Sequence, residues 1–153
     1  IYHLYKLPQV TIHNEKVLLT DGQILDIDGI KIECFLVPGH TWGHMVYLID
    51  DKYLFTGDTI WFDGVAESLR RYRPDVVMVN ACAAELLDEG RLIMDDADVA
   101  ALHAARPEAR IIVSHMDTVP HAALTRQDMD QALRRRGIRE AVFMPDDGQS
   151  ADF

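Results

Sequence analysis

Cysteine is almost absent. Cys34 and Cys82 are the only two in 153 residues and stand 48 positions apart, which excludes a disulfide framework and a Cys-rich zinc knuckle. No basic neighbour activates either thiolate, so both read as small buried hydrophobes, and a reducing, cytoplasmic setting is the expectation. Long apolar runs are missing as well. None approaches the roughly 18 residues that a membrane helix needs, and the start Ile1-Tyr2-His3-Leu4-Tyr5-Lys6 lacks a signal-peptide pattern. Positive charge is in deficit: 15 Lys and Arg stand against 25 Asp and Glu, a net charge of −10. That balance repels phosphate backbones and anionic lipid, so nucleic acid and membrane are not expected partners, whereas a small-molecule substrate is. An initiating Met is absent too, which leads us to expect that the chain begins inside a longer parent. There is no internal repeat or low-complexity tract.

What is present describes a single globular domain over residues 1–153, with 48% apolar and 26% charged residues. The averages hide a division. All four lysines lie at or before Lys52 and all eleven arginines at or after Arg70, while the 15 alanines begin at Ala66 and eight of twelve isoleucines fall within the first 62 residues. A strand-rich front and a helix-rich back explain the Ile and Ala bias. They do not explain the switch from Lys to Arg, which points to two sequence ancestries meeting near residues 61–64, with codon-composition drift as the alternative.

Turn signals at Asp21-Gly22, Asp28-Gly29 and Asp50-Asp51 delimit strands at Gln23 to Asp28, Ile30 to Val37, Met45 to Ile49 and Tyr53 to Thr56, the last two forming a hairpin. The period then changes. Val65 to Tyr72 reads as a helix ahead of Pro74, Asp75 to Val79 as a buried strand, Asp96 to Ala105 as a helix opened by Asp95, and Arg110 to Val113 as a strand. Thr125 caps a helix over Arg126 to Arg136, with Asp128 one position short of the reciprocal capping spacing, and Ala141 to Met144 is a final strand. This is an α/β layered fold, with strands in front and alternating strand and helix behind.

Three strand ends carry chemistry. Val37-Pro38-Gly39-His40-Thr41-Trp42-Gly43-His44 presents His40 on a glycine-permitted bend. Leu54-Phe55-Thr56-Gly57-Asp58-Thr59 ends an apolar strand in an acid, costly unless a cation or donors meet it. Ile111-Ile112-Val113-Ser114-His115-Met116-Asp117 ends another in a histidine. Together His40, Asp58 and His115 make an N/O set suited to zinc, with iron or manganese as alternatives.

Pro-Gly-His-Thr, followed after a hairpin by Phe-Thr-Gly-Asp-Thr, resembles the third and fourth metal-binding motifs of the metallo-β-lactamase-fold hydrolases, and Ser114-His115 resembles the fifth. The likeness runs from about Gly22 to Phe153. Residues 64–153 look most like the lactonase-like branch, residues 1–62 more like glyoxalase and general hydrolase branches. The resemblance implies a partial αββα sandwich with one or two metals at the sheet edge, His40 on the first, Asp58 bridging both and His115 on the second. It makes Asp58 and His115 the catalytic pair of a hydrolase that attacks an ester, lactone or thioester with a metal-bound hydroxide.

The family's opening His-x-His-x-Asp-His is missing: His3 and His13 stand ten residues apart with no partner at that spacing. Three of the expected ligands are therefore present, and activity as this chain is expected to be impaired. The alternative reading is a non-catalytic half-domain that binds metal weakly or assembles as a homodimer through an exposed sheet face. His44 reads as a structural residue or a support for the ligands, and His121 as a substrate contact or a surface-loop residue. Asp117 either hydrogen-bonds His115 or caps a turn. His103 reads as a solvated helix residue, and Arg134-Arg135-Arg136 as a complement to a helix dipole.

Overall fold

The structure is a computed structural model that describes residues 17–86, 90–117 and 120–153, so His3 and His13 lie outside the described residues. Its front is a meander: β1 (Gln23–Ile27), β2 (Ile30–Leu36), β3 (Met45–Ile49) and β4 (Tyr53–Phe55), each antiparallel to the next. The turns explain the tightness. Asp28 and Gly29 have φ of 53° and 87°, and Asp50 and Asp51 have 49° and 57°. The two-residue connection Asp28-Gly29 and the first two residues of the three-residue connection Asp50-Asp51-Lys52 thus adopt the left-handed pair whose twist matches a hairpin, at positions where Asp and Gly tolerate it.

Behind it come α1 (Asp63–Tyr72), β5 (Val76–Asn80), a small hairpin of β6 (Glu85–Leu86) and β7 (Gly90–Arg91), α2 (Asp96–Ala105), β8 (Arg110–Ser114), α3 (Arg126–Arg135) and β9 (Val142–Phe143). The main sheet runs β1-β2-β3-β4-β5-β8-β9, and β4, β5, β8 and β9 are parallel neighbours. Each parallel step crosses over through one helix, and crossovers of one hand place α1, α2 and α3 on one side of the sheet. The sheet is continuous across residues 61–64, since β4 pairs with β5.

Most expected elements recur with ends shifted by one or two residues, and the capping arithmetic needs correction. Helix α3 begins at Arg126, which makes Asp128 its third residue: the Thr125 hydroxyl accepts from the Asp128 N–H at 3.1 Å, and the Asp128 carboxylate accepts from the Thr125 N–H at 3.1 Å. This is a complete capping box, repeated at α2 by Asp95 and Asp98. The last strand is shorter than expected, because Arg139–Ala141 forms a 3₁₀ turn ahead of Val142. His103 is not a fully solvated residue: its ring is half-buried with Nδ1 out of solvent, and its alanine neighbours form no apolar stripe that would locate it. The arginine triplet is held by acids, Arg134 by Asp130 at 2.7 Å and Arg136 by Asp96 of α2 at 2.7 Å.

Strand alternation divides the sheet into two apolar faces. One contributes Phe35, Val46, Leu48, Leu54, Val77, Val79, Ile111, Val113 and Val142 to the core, where Val65 and Leu69 of α1, Val99 and Leu102 of α2, and Met129 and Leu133 of α3 cover them. The register places Leu25, Ile27, Ile30, Ile32, Leu36, Met45, Tyr47, Ile49, Tyr53, Phe55, Met78, Ile112 and Phe143 on the other face. There Ile27 is 51% exposed and Ile30 46%. A face this apolar calls for a second layer, as in a sandwich of two sheets. Among the described residues, the helices cover only the first face. The isolated chain is therefore expected to bind a hydrophobic dye, and Ile32→Glu to cut the bound fluorescence several-fold at unchanged far-ultraviolet circular dichroism. Dye binding that ignores this substitution would place the exposed apolar surface elsewhere.

Candidate metal centre

Strands β2, β4, β5 and β8 all point the same way, so their carboxyl ends open on one edge of the sheet, which is where α/β sheets bind ligands. The loop Val37 to His44 follows β2, Gly57 and Asp58 follow β4, Asn80 ends β5 and His115 follows β8. Gly57 turns the chain with φ of 63°, and Asp58 then projects a half-exposed carboxylate. Its Oδ1 accepts a hydrogen bond from Asn80 Nδ2 at 2.7 Å and lies 3.9 Å from His115 Nε2. His115 itself sits at φ of 76°, a left-handed conformation that costs a bulky residue roughly 1–2 kcal/mol. Strain of this kind collects at functional sites.

The His40 loop is seated on the Asp58 segment by two close approaches. A Cβ on Gly39 would stand 2.5 Å from Thr59 Oγ1, and one on Gly57 would stand 3.3 Å from His44 Nε2. Thr59 is fully buried, and Val37 N–H donates to the His44 carbonyl at 3.0 Å to close the loop. His44 Nδ1 meets the Val37 carbonyl at 3.0 Å. A carbonyl only accepts, so Nδ1 is the donor of this contact, and Nε2 lies toward the Gly57 turn. His40 is half-buried, and its Nδ1 is out of solvent with no hydrogen-bond partner among the described residues. With Pro38, Gly39, Thr41 and a Trp42 that is 92% exposed, it lines an open hollow of about 590 Å³.

Of the expected ligands the structure thus pairs Asp58 with His115. His40 does not join them: no group of three or more His, Cys, Asp or Glu converges among the described residues. Its loop follows β2, two strand spacings, or about 10 Å, from the end of β4. Asp117 Oδ2 accepts from the Arg126 N–H at 3.2 Å, at the start of α3. His121 is exposed beyond β8. Cys34 and Cys82 are fully buried, and burial pushes both thiols above their ordinary range. Asn80 is the site residue that the sequence reading missed. Its signal was the one used for Asp58 and His115, a polar residue closing an apolar run, here Val76 to Val79.

These residues fit part of a metal centre. A 3.9 Å separation is too long for a hydrogen bond and stands a few tenths of an ångström beyond the roughly 3.3–3.6 Å between a carboxylate oxygen and an imidazole nitrogen that share one tetrahedral zinc ion, a gap that a small side-chain rotation closes. The orphaned His40 nitrogen is a further donor of the right type, and an unmet buried polar atom is costly.

No family model matches the chain. It is 34% identical over 104 residues to the UPF0173 protein YddR of Bacillus subtilis, covering 67% of this chain and 41% of that protein. It is 48% identical over 48 residues to a probable polyketide biosynthesis zinc-dependent hydrolase, BaeB, of Bacillus velezensis, covering 31% of this chain and 21% of the relative. Among solved structures, an isothiocyanate hydrolase from Delia radicum gut bacteria superposes with a TM-score of 0.76 at 25% identity, over 90% of this chain and 60% of the other. The metallo-β-lactamase fold protein YhfI of Bacillus subtilis superposes with a TM-score of 0.61 at 9% identity, over 86% of this chain and 52% of that one, a likeness of fold alone. The chain spans less than two thirds of each of these proteins.

The seating of the His40 loop is open to test. Gly39→Ala forces Thr59 to shift and is expected to lower stability by about 1–3 kcal/mol. Gly43→Ala, where an added Cβ meets nothing within 4 Å, should leave the melting temperature unchanged. Equal effects of the two would refute the close approach.

Proposed function

We propose that the chain, whose fold and relatives are those of the metallo-β-lactamase-fold hydrolases, contributes the metal-binding edge of a hydrolase acting on a small ester, lactone or thioester. The observation that carries this reading is the meeting of Asp58 and His115, delivered from separate strand ends to 3.9 Å. We take zinc as the metal, in one or two ions, because relatives of this chain include a zinc-dependent hydrolase by name and because the donors are an imidazole and a carboxylate. Asp58 and His115 would hold one ion, with His40 on the neighbouring loop as a donor toward a second. The chemistry that such an ion supplies is polarisation of a carbonyl and a water whose pKa falls near neutrality.

The residues of the chain do the rest. Asp58 supplies the charge, with one oxygen tethered by Asn80. His115 keeps Nε2 facing that carboxylate, and its left-handed backbone aims the ring back over the sheet edge. His44, with Nδ1 on the Val37 carbonyl, backs the Gly57 turn that precedes Asp58. The hollow beside His40 and Trp42 gives a small substrate an aromatic wall. The likeness to an isothiocyanate hydrolase adds a second electrophilic carbon to try.

The apolar sheet face left open by the helices favours a second reading, in which two copies of the chain pair through it as a non-catalytic assembly module. Hydrolysis assays on the zinc-loaded chain with an aryl ester, a γ-lactone, an acyl thioester and an aryl isothiocyanate, combined with sizing in solution, separate the two. The first reading expects turnover of at least one class that chelation abolishes and that Asp58→Ala and His115→Ala each lower by 100-fold or more, on the order of 3 kcal/mol in the barrier. A stable dimer with no zinc-dependent turnover of any class would overturn it in favour of the second.

A further inference from the structure

Strand β5 lies between the two strands that carry Asp58 and His115, and its last residue touches the site. Asn80 pairs in register with Ser114, the residue before His115, and donates from Nδ2 to Asp58 Oδ1 at 2.7 Å. We propose that Asn80 is a positioning residue that holds the Asp58 carboxylate facing His115, so that a metal ion can bind between the two; this rests on the reading of the site as a metal centre.

Both sides of this span are tied by backbone hydrogen bonds. On one side the Thr56 N–H donates to the Met78 carbonyl at 3.0 Å, and the Thr56 hydroxyl reaches the same oxygen at 3.3 Å, which ties the end of β4 to β5. On the other the Ala81 N–H donates to the Ser114 carbonyl at 3.1 Å, which ties β5 to the end of β8. The amide therefore works from a fixed base on a carboxylate that follows a glycine turn.

The chemistry of an amide suits the task. A lysine or arginine here would also hold Asp58, but its charge would offset the carboxylate and repel an incoming cation. Asn80 spends one hydrogen bond on one oxygen, leaving the negative charge intact and most of the four lone-pair positions of the carboxylate open. It has no proton to gain or lose, so the donor itself does not switch with pH. Groups that orient metal ligands in this way typically change affinity by about 10–100-fold when removed.

The test measures zinc affinity by competition with a chromophoric chelator, and the melting temperature of the metal-free protein, for the wild type, Asn80→Ala, Asn80→Leu and Asp58→Ala. Leucine keeps the size of asparagine and removes the donor, so it guards against an effect of the cavity left by alanine. We expect both Asn80 variants to bind zinc about 10–100-fold more weakly, with metal-free melting temperatures near that of the wild type. Unchanged zinc affinity in both, beside lost affinity in Asp58→Ala, overturns the role of Asn80 and leaves the metal centre standing; a drop in metal-free melting temperature without a drop in affinity does the same. A wild type that binds no zinc overturns the metal centre, and the role of Asn80 with it.

Discussion

The site depends on one constraint, the side-by-side parallel course of β4, β5 and β8. Neighbouring strands lie about 4.8 Å apart, so the backbones bearing Asp58 and His115 stand roughly 10 Å from each other across β5. Side chains of ordinary length close that gap only if both are turned inward and both strands end level. The ladder from Tyr53–Val76 through Asn80–Ser114 fixes the level. Two backbone turns supply the inward course, one at Gly57 and one at His115, where an imidazole is kept in a conformation that its Cβ resists. Shifting β5 by one residue would point Asn80 to the helix side of the sheet and leave Asp58 without its tether.

The same ladder explains why this sheet is apolar on both sides. Each fully buried Val, Leu or Ile contributes about 1.5–3 kcal/mol, and three helices bury one face. The opposite face carries the site at its edge and presents isoleucines, methionines and tyrosines to whatever lies across it. Asn80 and Ser114 belong to that second face by register. The centre therefore sits at the rim of a surface that a covering layer would seal from water, an arrangement that strengthens electrostatic contacts at a metal. Fold and chemistry meet at one boundary.

How much of this was legible in the residues depends on the scale of the signal. The hairpin turns are plain, because Asp28-Gly29 is a strong two-residue turn signal and the polar run Asp50-Asp51-Lys52 separates two apolar segments. The two apolar faces were visible as unbroken runs, Val76 to Val79 and Ile111 to Val113, which mark strands packed on both sides. Asp58 and His115 stood out as polar residues ending such runs. Asn80 ends a run in the same way but carries no charge and coordinates poorly, so chemistry alone gave no reason to single it out; only the pairing of β4 with β5 brings it to Asp58. The two-residue strands β6 and β7 are too short for any periodicity, whereas the capping box at Thr125 is legible in the residues, since the helix starts at Arg126 as expected and Asp128 stands three residues after the cap. His40 was read correctly as a strand-end histidine on a bend, whereas its distance from Asp58 depends on β3 lying between β2 and β4.

The central claim is that Asp58 and His115 face each other because they share a cation. Anomalous diffraction from crystals of the chain grown with zinc tests it most directly. The account predicts a zinc peak within coordination distance of an Asp58 carboxylate oxygen and of His115 Nε2, with Asn80 still bonded to Asp58. A fully occupied zinc bound elsewhere on the chain, with the Asp58 and His115 pair left empty, would contradict it.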